Sequence, residues 1–108
     1  MSKDYGKLVR DNIPNIIKEN GEIPNIEVLS NDRYLKELDR KLFEEMIEYE
    51  DSKELEEIAD ILEVLEAIVY ARGYKFEDVL KIKEDKKFKR GGFNEKIFLI
   101  STSKEGEI

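Results

Sequence analysis

The sequence contains no cysteine, no histidine and no tryptophan, and only two prolines in 108 residues. Without cysteine there can be no disulfide, thiolate nucleophile or Cys-ligated zinc. Without histidine there is no imidazole base, no imidazole metal ligand and no His-based triad. No uninterrupted apolar run approaches the roughly 20 residues of a membrane-spanning helix, and the opening MSKDYGKLVR lacks the apolar centre of a secretory signal. The sequence therefore predicts a cytoplasmic protein with no membrane partner. Its chemistry must run on carboxylates, cations, hydroxyls or a hard metal ion.

Charge is abundant. Lys and Arg number 19 against 26 Asp and Glu, a net charge of -7, which argues against a nucleic-acid polymer as partner. The length suits a single domain over 1-108, with 1-4 and 101-108 expected to be frayed. A domain of this size buries only roughly 60–65% of its unfolded surface, so self-association would help it.

Glycine and proline punctuate the chain. Asp11-Asn12-Ile13-Pro14 reads as a turn into a short helix that stops at Asn20-Gly21. Residues 25–29 alternate briefly, as a short strand or extended arm would. Asn31 or Asp32 can cap a helix over about 32–50, because Leu35, Leu38, Leu42, Met46 and Tyr49 recur at spacings of three and four. Asp51-Ser52 is expected to break it, with either side chain free to cap the next helix. That second long helix carries Leu55, Ile58, Ile61, Leu62, Leu65 and Val69 to Arg72-Gly73, and Val64 and Ile68 widen its apolar face enough for two neighbours. A further helix opens at Glu77-Asp78 and runs to about Lys89. After Arg90-Gly91-Gly92-Phe93, the run Ile97-Phe98-Leu99-Ile100 is consistent with a strand. The expected fold is all-α, a bundle centred on a helical hairpin and assembled as an oligomer, with one small β pairing (about 25-29 with 97-100) left open.

Acidic density is uneven. Residues 44–66 hold 11 acids and a single base, Lys53, which leaves the rest of the chain mildly basic. In an antiparallel hairpin, residues equidistant from the turn face one another. With the turn centred between Ser52 and Lys53, Glu48 faces Glu57 and Glu45 faces Asp60. This sets a Glu-x-x-Glu against a Glu-x-x-Asp. Glu45 borders the stripe of Leu38, Leu42 and Met46, and Glu57 borders Ile61 and Val64, so these carboxylates point toward the neighbouring helix. Four acids in a partly desolvated crevice repel, and no base in this stretch is placed to neutralise them. A divalent cation would resolve the conflict, and an all-oxygen ligand set suits Mg2+ or Mn2+. The alternative is an acidic solvated face, the natural reading of Glu44, Glu50, Glu56, Glu63 and Glu66. Exposed helices usually mix signs, as Glu37 and Lys41 do, whereas Glu44/Glu48 and Glu56/Asp60 are like-charge pairs.

The segments Lys41-Leu42-Phe43-Glu44-Glu45-Met46-Ile47-Glu48 and Glu57-Ile58-Ala59-Asp60-Ile61-Leu62 resemble the signature of the all-α nucleoside triphosphate pyrophosphohydrolases, the MazG-like and phosphoribosyl-ATP pyrophosphohydrolase superfamily. Tyr5 to Pro14 and Lys89-Arg90-Gly91-Gly92-Phe93 resemble a small branch whose members open with a Lys-Leu-Val-Arg-Asp-Lys-Ile-Pro-like stretch. Two departures stand out: Asn12 replaces the usual Lys, and the stretch between Glu48 and Glu57 is short.

This resemblance implies helical protomers in dimers or higher oligomers. It implies Mg2+-dependent hydrolysis of a nucleotide between its α and β phosphates, releasing pyrophosphate. Carried over, Glu45, Glu48, Glu57 and Asp60 would be the metal ligands and catalytic carboxylates. Lys7, Arg10, Lys86 and Arg90 are the candidate substrate-binding cations, the last two from a cluster with Lys81, Lys83, Lys87 and Lys89. A different class fits the same residues: a non-catalytic helical oligomeric module, or a nucleotide sensor, using the same acidic hairpin.

Overall fold

The structure, a computed structural model, describes residues 3–106. It contains four helices: α1 (Ile13–Glu19), α2 (Asn31–Ser52), α3 (Leu55–Ala71) and α4 (Phe76–Arg90). The fold is all-α. The chain divides into two compact units, residues 1–76 and 77–108.

Each helix boundary has a local cause. Pro14 sits in the first turn of α1, where its missing N–H costs nothing, and Asn20 closes the helix before Gly21 takes a positive φ of 84°. Helix α2 is capped by Ser30, one residue before Asn31 and two before Asp32: Ser30 is extended, and its Oγ accepts from the Arg33 N–H at 3.4 Å. The break after α2 is also displaced. Asp51 and Ser52 continue the helix, and Lys53 turns the chain in the left-handed region with φ 59°. The Lys53 N–H donates to the Tyr49 carbonyl at 2.8 Å, while the Ser52 Oγ accepts from the Glu54 N–H at 3.2 Å. Helix α3 has no side-chain cap, so neither Asp51 nor Ser52 serves it in that role. Gly73, at φ 82°, follows the end of α3.

Because only Lys53 and Glu54 separate them, α2 and α3 fold back as an antiparallel hairpin and pack along their lengths. Leu38 and Val64 are the buried apolar residues of this unit. The outer faces stay uncovered: Met46, Ile58 and Leu62 are about half exposed, and Phe43 and Ile47 more so.

In the second unit, every residue of α4 from Glu77 onward is exposed. Gly91 closes the helix at φ 83°, its N–H donating to the Lys87 carbonyl at 2.8 Å. Among the described residues no segment forms a strand, so neither 25–29 nor 97–100 takes part in the β pairing left open by the sequence. Both lack regular structure and are largely exposed, and a lone pair of short strands is marginal in water. Of the expected frayed ends, residues 1, 2, 107 and 108 lie outside the described residues; residues 3–4 and 101–104 take no regular structure.

Among the described residues no helix is long and apolar enough to cross a membrane.

Candidate metal centre

The hairpin brings three of the four sequence-predicted carboxylates together. Glu45 of α2 and Glu57 and Asp60 of α3 each place an oxygen within 4.8 Å of the others. Their spacing explains the convergence: Glu57 and Asp60 are three apart on α3 and share a face, and that face looks across at α2 where Glu45 lies.

Burial is uneven across the group. Glu45 is only 6% exposed, Glu57 and Asp60 are intermediate, and Glu48 is exposed. The Oε2 atoms of Glu45 and Glu57 are both buried with no hydrogen-bond partner. Such an orphaned acceptor costs about 1–3 kcal/mol, and more when charged, so two of them in one crevice is a specific strain. Burial pushes the Glu45 carboxyl above its ordinary range, the neighbouring Glu48 charge adds to the rise, and the Lys41 ammonium partly opposes it.

Glu48 therefore acts on the centre without joining the group of three. Only Lys53 and Glu54 lie between the helices, one position past the expected centre, and Glu45 still meets Asp60 while Glu48 lies outside the group of three.

Two cations that the sequence reading left out of the crevice do reach it. Lys41 lies one turn before Glu45 on α2, with its Nζ 3.4 Å from both Glu44 Oε1 and Glu45 Oε1. Its i,i+4 spacing to Glu45 was a visible signal, but it falls just outside the acidic stretch 44–66. Glu37, expected to offset Lys41, instead pairs with Arg40 at 3.2 Å. Arg10 comes from the irregular arm before α1, which no periodicity could have placed. Its Nη2 donates to Asp60 Oδ1 at 2.8 Å, and its Nη1 lies 3.6 Å from Glu63 Oε1. Glu63, read as solvated, is thus part of the Arg10 contact.

Among the other expected substrate cations, Lys7 lies in the same arm, 3.5 Å from Glu44 Oε1. Lys86 and Arg90 are exposed on α4, in the second unit.

The donor set fits a hard divalent cation. It is all oxygen, it places three carboxylates within coordinating reach, and two of its oxygens are buried without any proton donor. Lys41 and Arg10 each address one of the three acids and leave those two oxygens unmet.

Comparison with known proteins adds little. No protein-family model matches the chain, and no solved structure matches it. The chain is similar to an uncharacterized protein of Mycolicibacterium smegmatis, 50% identical over 42 residues, which cover 39% of this chain and 43% of that protein. The match thus spans less than half the length of that relative.

Proposed function

We propose that this chain is a divalent-cation-dependent nucleotide pyrophosphohydrolase, cleaving between the α and β phosphates to release pyrophosphate. The observation that carries the reading is the pair of buried, unpartnered oxygens on Glu45 and Glu57, set beside Asp60 within 4.8 Å. The resemblance of the Glu45–Glu48 and Glu57–Asp60 segments to the pyrophosphohydrolase signature supplies the reaction class.

In this reading Glu45, Glu57 and Asp60 hold Mg2+ or Mn2+. A bound cation supplies positive charge toward phosphate oxygens and a more acidic water. Glu48, exposed beside Glu45, accepts a hydrogen bond from the attacking water and takes its proton. Water adds to the α phosphorus, the bond from that phosphorus to the bridging oxygen breaks, and pyrophosphate leaves with the bonding pair. Arg10 and Lys7 donate to non-bridging phosphate oxygens from the arm. The guanidinium of Arg10 already lies at the edge of the centre, and it is exposed enough to turn from Asp60 to an arriving anion.

The working form is a homo-oligomer. With Leu38 and Val64 as the buried apolar residues, the half-exposed Met46, Ile58 and Leu62 favour a second copy against the hairpin. The same exposed faces would suit a non-catalytic interaction module, but that role gives the two orphaned oxygens nothing to do.

The test is pyrophosphate release from canonical, deoxy and modified nucleoside triphosphates and phosphoribosyl-ATP, with Mg2+, Mn2+ or chelator. Metal-dependent pyrophosphate from any substrate is the expected result. Silence across the panel in a protein that binds Mn2+ would move the assignment to a sensor.

A further inference from the structure

The carboxylate centre carries two positive charges of its own. Arg10 Nη2 donates to Asp60 Oδ1 at 2.8 Å, and Lys41 Nζ lies 3.4 Å from Glu45 Oε1. Two cations against three ionised carboxylates leave one negative charge over, and Glu45, only 6% exposed, still holds an oxygen that neither cation reaches. A divalent ion added to all five groups would turn the cluster positive, whereas a divalent ion that takes the place of one cation would leave it neutral. In a partly desolvated crevice an unbalanced charge of either sign is costly, so the charge count favours exchange over addition.

The two cations are not equally free to leave. Lys41 grows from α2 one turn before Glu45, and its side chain is 18% exposed, so the helix itself keeps the ammonium beside its partner. Arg10 reaches Asp60 from the irregular arm, and its side chain is 58% exposed. Its carbonyl accepts from the Ile13 N–H at 3.0 Å, which ties its backbone to the start of α1 and leaves the movement to the side chain. It also has somewhere to go: Nη1 lies 3.6 Å from Oε1 of Glu63, an acid outside the group of three. An exposed ion pair holds its partners weakly, so an arriving ion needs little to break this one.

We propose that Arg10 is a built-in competitor of the divalent cation: its guanidinium neutralises Asp60 in the metal-free protein and must leave that carboxylate for a cation to bind. The exchange couples two events. Arg10 is free to meet a phosphate once the cation has taken Asp60, so the metal-free centre offers a polyphosphate neither the cation nor the guanidinium. By linkage, the cation and the phosphate then favour each other's binding. The inference rests on the metal-dependent reading above and deepens it with a control over the same site.

The test is Mn2+ binding by the full chain, followed by electron paramagnetic resonance at about 0.15 M salt, in the unmutated protein, Arg10→Ala, Arg10→Lys and Lys7→Ala. Lys7 pairs with Glu44, outside the group of three, so Lys7→Ala reports the general loss of a positive charge from the arm. Arg10→Ala is expected to bind Mn2+ about two- to fivefold more tightly, the range one exposed ion pair allows, and Lys7→Ala to differ from the unmutated chain by less than about 1.5-fold. Arg10→Lys, which keeps the charge without the fork that spans Asp60 and Glu63, is expected to fall between Arg10→Ala and the unmutated chain. In a parallel Mg2+ titration by NMR, the Arg10 side-chain Nε–H signal, identified by its loss in Arg10→Lys, is expected to move toward the position of a free guanidinium. Equal or weaker Mn2+ binding in Arg10→Ala, an equal gain in Lys7→Ala, or an Arg10 signal indifferent to Mg2+ would overturn the proposal. The two readings fail separately. Absence of saturable binding in all four proteins ends the metal centre and the exchange with it, whereas saturable binding that Arg10→Ala leaves unchanged ends the exchange alone.

Discussion

Helices α2 and α4 are both dense in charge, yet they hold it in opposite ways. On α2, Glu45 is buried, faces Glu57 and Asp60 across the hairpin, and leaves an oxygen without a partner. On α4, the lysines project into solvent, and Lys83 pairs with its neighbour Glu84 at 3.3 Å. Cations near a helix C-terminus are favourable, so the Lys87, Lys89 and Arg90 end of α4 is explained by its own helix. On its own helix Glu45 has only the ion pair with Lys41, and its Oε2 is left without a partner. A charge run becomes informative when folding desolvates it against charges of its own sign and supplies too few partners.

The sharpest way to break the contrast is to neutralise the acids of the centre. Glu45→Gln and Asp60→Asn keep side-chain shape and remove one ligand charge each. Each is expected to lower metal-dependent pyrophosphate release by about 100-fold or more, measured as kcat/KM. Retained turnover in both variants would end the assigned mechanism.

Next in size is Arg10→Ala. Loss of a charge-assisted contact to phosphate is expected to cost about 10-fold in kcat/KM, mostly through KM. Because Arg10 is more than half exposed, its pair with Asp60 should change folding stability by less than about 1 kcal/mol. A stability loss without a kinetic effect would make Arg10 a strut and not a substrate contact.

The third prediction concerns pH. The Glu45 carboxyl titrates above its unfolded value, chiefly because it is buried. In the window between the unfolded and folded values the native state therefore binds more protons than the unfolded state. Stability of the metal-free protein must fall as pH rises through that window, the reverse of a salt-bridged acid. Glu45→Gln is expected to flatten this dependence and to raise metal-free stability near neutral pH by about 1 kcal/mol, read by urea unfolding. Added Mn2+ should stabilise the unmutated chain and not the variant.

The smallest effects belong to α4. Lys86→Ala and Arg90→Ala should each change stability by less than about 0.5 kcal/mol, since both side chains are exposed. Steady-state kinetics decides their role: an increase in KM of about 10-fold would make them substrate contacts, and an unchanged KM would leave α4 a solvated helix.

Much of this arrangement could be read from residue spacing. The helices follow from apolar periodicity, and Pro14, Gly21 and Gly73 mark ends where their conformations are needed. The hairpin itself followed from so short a break, and with it the meeting of Glu45 and Asp60. The turn was placed too early because no glycine marks it: Lys53 takes the left-handed conformation, held by the Tyr49 carbonyl and by an ion pair with Glu50 at 3.0 Å. Glu48 lies outside the group of three, although its charge still acts on Glu45. The expected β pairing arose from two short apolar segments whose strand character only a partner could fix. Arg10 was recognisable as a cation of interest, but its contact with Asp60 spans fifty residues of chain and depends on how an irregular arm lies.

The most direct test of the central idea is a Mn2+ titration followed by electron paramagnetic resonance, comparing the unmutated chain with Glu45→Gln and Asp60→Asn. Three converging carboxylates should give saturable binding in the unmutated chain that weakens at least about 10-fold in each variant. Equal, weak and non-saturating binding in all three proteins would show that the orphaned oxygens of Glu45 and Glu57 do not mark a metal centre.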